Sequence, residues 1–224
     1  MTESTRRITP DDFHATDGLS DWRVLSEGAC ALFRTETLAD SVRFVEDISA
    51  IPGIDSDRPA IDLRSDGVTV RLVTMTREHY GLTTREVELA RAISTIAQSQ
   101  GLVADPSAVQ TFLVVPGAPD TAEIMPFWRA VLGYDPRPDS PEEDLVDLQS
   151  IGPPFWFEPM QESRPGGEGA IHVAVWVPYD QAEARVAEAL AAGGRLVYDK
   201  HAPAWWTLAD PAGNEADIAT TKGR

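Results

Sequence analysis

Apolar and polar positions in the N-terminal half switch between helical and strand periods. Thr9-Pro10-Asp11-Asp12 supplies an N-cap, a proline at N1 and acids in the first turn, so a short helix is expected there. Trp22–Ser26 and Ala29–Thr35 alternate as strands around Glu27-Gly28, which predicts a hairpin. Between Thr37 and Ile51, Leu38, Val42, Val45 and Ile48 recur at helical spacing until Pro52-Gly53 ends the run. Ala60–Arg64 and Val68–Thr74 make a second hairpin around Ser65-Asp66-Gly67. Thr83-x-x-Glu86 is a capping box, and Leu89, Ala90, Ile93, Ile96 and Ala97 give the helix behind it an apolar stripe. The order α-ββ-α-ββ-α predicts an antiparallel sheet with helices packed on it, an α+β fold. Gly101, Asp105, Pro106 and Ser107 then break the pattern and mark a domain boundary.

From Gln110 onward the sequence reads as one βαβββ unit written twice. The first copy opens on the strand 109–115, passes through a helix ending in Phe127-Trp128-Arg129-Ala130-Val131-Leu132-Gly133-Tyr134, and closes on Phe155-Trp156-Phe157-Glu158-Pro159-Met160. The second opens on Ile171-His172-Val173-Ala174-Val175-Trp176-Val177, runs through a helix over 180–192, and closes on Asp210–Ile218. Asp120-x-x-Glu123 and Asp180-x-x-Glu183 read as capping boxes, Gly133 and Gly193 as helix stops. Pro126 inside the first helix predicts a kink or a late start. Gly166-Gly167-Glu168-Gly169 has no following lysine and precedes a strand, so it reads as a connector rather than a phosphate loop.

The first and last strands of the two copies offer Gln110, Glu158, His172 and Asp217, all of them metal-ligand types. Side chains alternate along a strand, so His172 shares a face with Ala170, Ala174 and Trp176, Glu158 with Trp156 and Met160, and Gln110 with Phe112 and Val114. Asp217 shares its face with Glu215. Polar groups among apolar neighbours are costly unless they are paired or bind something. One imidazole and up to three oxygen ligands suit Zn, Ni, Co, Fe or Mn, which could polarise a carbonyl. Trp205 and Trp206 point to opposite faces if extended, so one can line a cleft that Trp156 and Trp176 also border. Core packing accounts for each of these tryptophans equally well. His201, in the loop Asp199-Lys200-His201-Ala202-Pro203, reads as a cleft-mouth acid/base or as a surface histidine.

A net charge of −17 argues against nucleic acid and anionic membranes as partners. A small-molecule ligand fits better, and homo-oligomerisation stays open. The single Cys30 excludes an internal disulfide and lies in an apolar run, as a buried structural thiol does. No apolar stretch approaches the ~20 residues of a membrane span. The N-terminal residues lack a signal peptide's apolar segment, so a cytoplasmic location is expected.

Over about residues 8–103 the chain resembles the pterin-4a-carbinolamine dehydratase family. The resemblance rests on Val68-Thr69-Val70-Arg71-Leu72-Val73-Thr74 and Gly81-Leu82-Thr83-Thr84-Arg85-Glu86-Val87-Glu88-Leu89-Ala90. That family carries a His-His-Pro turn where this chain reads Asp57-Arg58-Pro59, and its later histidine falls at Met75. The resemblance therefore implies a catalytically degenerate domain, with His79 as the one nearby replacement acid/base.

Over about residues 109–221 the chain resembles the vicinal oxygen chelate superfamily, especially its glyoxalase-like members. Phe127–Tyr134 and Asp210-Pro211-Ala212-Gly213-Asn214 carry this second resemblance. It implies paired βαβββ modules around a cleft, with metal ligands at the positions of Gln110, Glu158, His172 and Asp217. Glu158 and Asp217 double there as catalytic groups. Three functions follow: a small-molecule lyase or isomerase in the C-terminal cleft, pterin-4a-carbinolamine dehydration in the N-terminal half, or non-catalytic binding or sequestering of a small molecule.

Overall fold

A computed structural model describes residues 6–26, 28–149, 152–160, 170–209 and 215–223, with only the backbone at 127, 131 and 170. The expected connector 166–169, the segment 210–214 and Glu27 of the first turn lie outside the described residues. The chain divides into two compact units, residues 1–75 with 79–109, and residues 76–78 with 110–224. Among the described residues no helix is long and apolar enough to cross a membrane.

The first unit runs α1 (Pro10–His14), β1 (Arg23–Leu25), β2 (Gly28–Arg34), α2 (Leu38–Ser49), α3 (Ile54–Asp57), β3 (Ala60–Arg64), β4 (Gly67–Leu72), β5 (Thr74–Met75), β6 (Tyr80–Gly81), α4 (Thr84–Ser99) and β7 (Val103–Ala104). Its main sheet is antiparallel in the order β1-β2-β4-β3, with β7 beside β2. Ala29, Ala31 and Phe33 of β2 and Val68, Val70 and Leu72 of β4 alternate inward, where Phe44, Ile48, Leu89 and Ile93 of the helices meet them. Trp22 is fully buried because its indole has a partner: Nε1 donates to Ser94 Oγ at 3.1 Å, and that hydroxyl donates to Asp21 at 2.7 Å. Cys30 is buried, and burial pushes its thiol up to about 11 against the opposing pull of Arg71.

The apolar face of α2 departs from its expected stripe. Leu38 and Val42 are 53% and 42% exposed, while Ser41, Phe44 and Ile48 are buried. Phe44 sets the rotation of the helix. Ser41 tolerates burial because its hydroxyl donates to the Arg64 carbonyl at 2.7 Å. A side-chain hydrogen bond of this kind leaves no trace in hydrophobic periodicity.

The second unit runs β8 (Thr111–Ala118), α5 (Thr121–Leu132), β9 (Asp135–Pro136), β10 (Asp144–Val146), β11 (Phe155–Trp156), β12 (Glu158–Pro159), β13 (Ala170–Trp176), α6 (Ala182–Ala191), β14 (Arg195–Tyr198), β15 (Trp205–Ala209) and β16 (Glu215–Ala219). One mixed sheet has the order β14-β15-β16-β13-β8-β11-β10-β9, with β12 also on β8. The strand order β9-β10-β11-β8 of one half repeats as β14-β15-β16-β13 in the other, so the doubled pattern is a real structural repeat. The halves join along β8 and β13, antiparallel from Ala170↔Gly117 to Trp176↔Thr111.

Helix ends in this unit differ in detail from the expected caps. Asp120 accepts from the Ala122 amide, and Gly133 closes α5 at φ 69°. Pro126 lies inside α5, which nevertheless starts at Thr121 rather than after the proline. At α6 the N-cap is Gln181 rather than Asp180, and the Gln181 side chain makes no cap hydrogen bond.

Glu86 is the polar anchor of the first unit. It is 3% exposed and accepts from the Thr83 amide (2.7 Å), the Thr83 hydroxyl (2.6 Å) and the Thr74 hydroxyl (2.8 Å). Glu86→Ala removes half of the capping box and strands those donors, so it should cost about 2–3 kcal/mol. Denaturant unfolding of the variant checks this, and an unchanged midpoint would mean that the network contributes nothing.

Candidate functional site

Strand alternation sorts the residues of the second unit onto two sheet faces. Val175, Trp206, Leu208 and Ile218 pack with Val186 and Ala189 of α6. Val114, Phe155 and Phe157 pack with Met125 and Trp128 of α5. Their alternates therefore occupy the opposite face. There His172, Trp205, Thr207, Glu215, Asp217, Glu158 and Met160 line one cleft of about 190 Å³ together with Gly117.

A chain of hydrogen-bonding groups crosses the floor of this cleft. Thr207 and Asp217 are register partners, and Asp217 is in turn paired with Ala174, two residues beyond His172. Thr207 Oγ1 donates to Asp217 Oδ1 at 2.6 Å, and His172 Nε2 lies 3.4 Å from Asp217 Oδ2. His172 and Asp217 each keep 17% side-chain exposure, enough for a ligand to reach them. The hydrogen bond with Asp217 raises the His172 pKa above its ordinary 6.5; burial opposes the rise, while the charges of Asp217, Glu158 and Glu215 add to it. Glu158 is half-buried and has no hydrogen bond or salt bridge among the described residues. Its carboxylate borders the cleft without a hydrogen-bonding partner among the described residues.

The other candidate residues fall in several places. Gln110 does not join the cleft: its Oε1 accepts from Arg185 of α6 at 3.3 Å, on the helix side with Phe112 and Val114. The expected four converging heads are thus three, because odd and even positions of β8 serve opposite faces. Trp205 lines the cleft with its ring stacked on His201, centroids 4.1 Å apart and planes at 17°. Trp206 packs into the α6 core instead, as the opposed pair requires. Trp176 is 5% exposed and Trp156 38% exposed; both share a face with cleft residues, and neither lines the cleft itself. His79 belongs to the first unit, where its Nε2 lies 3.2 Å from the Leu82 carbonyl. Sequence reasoning missed the role of Thr207. The available signal was its parity with Trp205, which sends both to the same face.

The cleft residues do not fit the expected four-ligand metal centre. Gln110 is turned away, and both carboxylate oxygens of Asp217 are engaged by Thr207 and His172. Among the described residues no group of three or more His, Cys, Asp or Glu is arranged to hold a metal ion.

Paired βαβββ units around a one-sided cleft define a class of mixed α+β domain. Residues 113–219 match the family model of the glyoxalase-like domain. The chain is similar to the crystal structure of NAD-dependent benzaldehyde dehydrogenase from Legionella pneumophila, at 13% identity and a TM-score of 0.36, covering 49% of this chain and 97% of that one. It is also similar to a glyoxalase/bleomycin resistance protein/dioxygenase superfamily member from Vibrio splendidus 12B01, at 16% identity and a TM-score of 0.31, covering 50% of this chain and 98% of that one. No curated protein matches the sequence.

The His172–Asp217 couple has a pH signature. With the folded-state pKa raised, the stability from this pair is full below the ordinary histidine value and is lost as pH rises through the folded value. Asp217→Asn removes the first cause of the rise, so the midpoint of the His172 NMR titration should fall and the loss of stability at rising pH should flatten. An unchanged midpoint in the variant would show that Asp217 does not set the state of His172.

Proposed function

We propose that the C-terminal domain is a small-molecule lyase or isomerase that works by proton transfer in the cleft. The observation carrying this reading is the Glu158 carboxylate, without a hydrogen-bonding partner among the described residues, in the same cleft as the His172–Asp217–Thr207 chain. Glu158 takes a proton from a carbon next to a substrate carbonyl. His172, whose protonated form the hydrogen bond with Asp217 favours, donates to the carbonyl oxygen as the electron pair moves onto it. In an isomerase the other hydroxyl of the enediol gives its proton to His172 and Glu158 returns its proton to the former carbonyl carbon. In a lyase the enol proton goes back to His172, the carbonyl re-forms, and the electron pair expels from the β-carbon a leaving group that takes the proton from Glu158. Asp217 and Thr207 hold the imidazole in position, and Trp205 and Met160 border the substrate. Each such proton-transfer group typically contributes about 10²–10⁴-fold.

The test is turnover of a panel of small hydroxy- and ketocarbonyl compounds. Glu158→Gln and His172→Gln should each lower kcat by about 100-fold or more. Trp206→Phe, a change in the α6 core, should leave kcat close to wild type. Full activity in Glu158→Gln would remove the base from the scheme.

No step of this scheme passes through a metal. Turnover should accordingly survive chelator treatment. A stoichiometric Zn, Ni, Co, Fe or Mn ion, lost together with activity in His172→Ala, would restore the metal-dependent reading.

For the N-terminal unit we propose a binding or structural part without pterin-4a-carbinolamine dehydratase activity. Asp57, the acidic group in the turn before β3, is tied to Arg85, whose guanidinium donates twice to its Oδ2 at 2.6 Å and 3.0 Å, so that oxygen is committed to the ion pair. His79 bonds the Leu82 carbonyl. An assay with a quinonoid-forming pterin should show no acceleration above the uncatalysed rate. Turnover abolished by His79→Ala would instead identify that histidine as the surviving acid/base.

A further inference from the structure

Trp205 borders the cleft, and a second ring lies against it. The His201 imidazole stacks on the indole with centroids 4.1 Å apart and planes at 17°, and the Tyr198 ring lies 5.6 Å from His201 at 35°. Near-parallel stacking of this kind covers one face of the indole and limits the rotamers open to it. The loop that carries His201 is itself pinned. The Ala202 amide donates to the Asp199 carbonyl at 3.0 Å, and the Ala204 amide donates to the His201 carbonyl at 2.8 Å. Thr220, just beyond β16, ties the loop to the sheet: its hydroxyl donates to the Pro203 carbonyl at 2.6 Å and its amide to the Ala204 carbonyl at 2.8 Å. Ala204 and Thr220 are buried, while His201 is exposed. A fixed backbone thus sets an exposed histidine against a half-buried tryptophan that faces the cleft. His201 does not itself line the cleft, so its place is behind Trp205 rather than against a ligand. A ligand that packs on Trp205 meets a smaller entropic cost when the indole is already held.

We propose that His201 is a positioning residue of the cleft: its ring backs the Trp205 indole and so sets the fit of a flat, apolar group on the substrate. This role rests on the reading above, that the cleft is where the C-terminal domain binds its ligand. The full chain is labelled with fluorotryptophan, and the Trp205 fluorine signal is assigned by its loss in Trp205→Phe. Binding is followed at the His172 NMR signals with two hydroxyketones, phenacyl alcohol, which carries a flat ring, and dihydroxyacetone, which does not. Wild type is compared with His201→Ala, which leaves the backbone bonds of the loop in place, and with His201→Phe, which keeps a ring and has no proton to transfer. His201→Gln, equally without an aromatic ring, should match His201→Ala, and thermal melts check that each variant is folded.

The Trp205 line should be single and narrow in the wild type, shifted and broadened in His201→Ala, and narrow again in His201→Phe. His201→Ala should weaken phenacyl alcohol about three- to tenfold and leave dihydroxyacetone nearly unaffected, and His201→Phe should restore the loss. Where phenacyl alcohol is turned over, KM should rise by the same factor with kcat close to wild type. An unchanged Trp205 line in His201→Ala, unchanged affinity for phenacyl alcohol there, or a His201→Phe protein as impaired as His201→Ala overturns the proposal. So does a collapse of kcat with KM preserved, which would make His201 an acid/base group. Binding of dihydroxyacetone without phenacyl alcohol overturns the role of the Trp205 face and leaves the cleft reading standing. If neither compound moves the His172 signals of the wild type, both fall.

Discussion

The pairing of β8 with β13 is the constraint on which the C-terminal domain depends. Ladder partners from Ala170↔Gly117 to Trp176↔Thr111 join the two βαβββ units into one sheet. Because side chains alternate, this single register decides which residues of both strands face the helices and which face the cleft. β11 and β12 then lie parallel to β8, and β16 lies parallel to β13. Glu158 from one unit and Asp217 from the other therefore arrive on the same side as His172. A slip of one residue along β13 would send His172 into the α6 core and bring Val173 into the cleft.

The cleft face is polar because each buried polar group on it has a specific partner or a ligand-facing role. Asp217 accepts from Thr207 and engages His172, which makes its charge tolerable beside Ala174 and Trp176. Glu158 lacks such a partner among the described residues, and it borders open space. The opposite face obeys a different rule. There Val175, Leu208, Ile218 and Trp206 bury apolar area against α6, and Gln110 remains at the margin through Arg185. Fold alone fixes none of the chemistry, which resides in these few side chains.

Much of the architecture was legible in the sequence. Alternation over β2, β4, β8 and β13, the N-cap at Thr9, the capping box at Thr83, and the doubled βαβββ pattern all have direct structural counterparts. What escaped was phase. The buried face of α2 turned on Phe44 and on a hydrogen bond from Ser41, and neither registers as hydrophobic periodicity. Gln110 sat one position from the cleft parity, where a polar residue just ahead of a strand reads equally well on either face. Parity with Trp205 could place Thr207 on the cleft face, but its bond to Asp217 is a contact between strands that sequence spacing does not encode.

The central claim is that Glu158 exchanges a proton with carbon in a cleft whose acid is His172. Hydrogen–deuterium exchange at the carbon next to the carbonyl tests it most directly, with small carbonyl compounds incubated in D₂O and followed by NMR. The wild-type chain should speed exchange for at least one compound, and Glu158→Gln should abolish that acceleration while the chain stays folded. Exchange as fast in Glu158→Gln as in the wild type, or no faster than in buffer for every compound, would contradict the account.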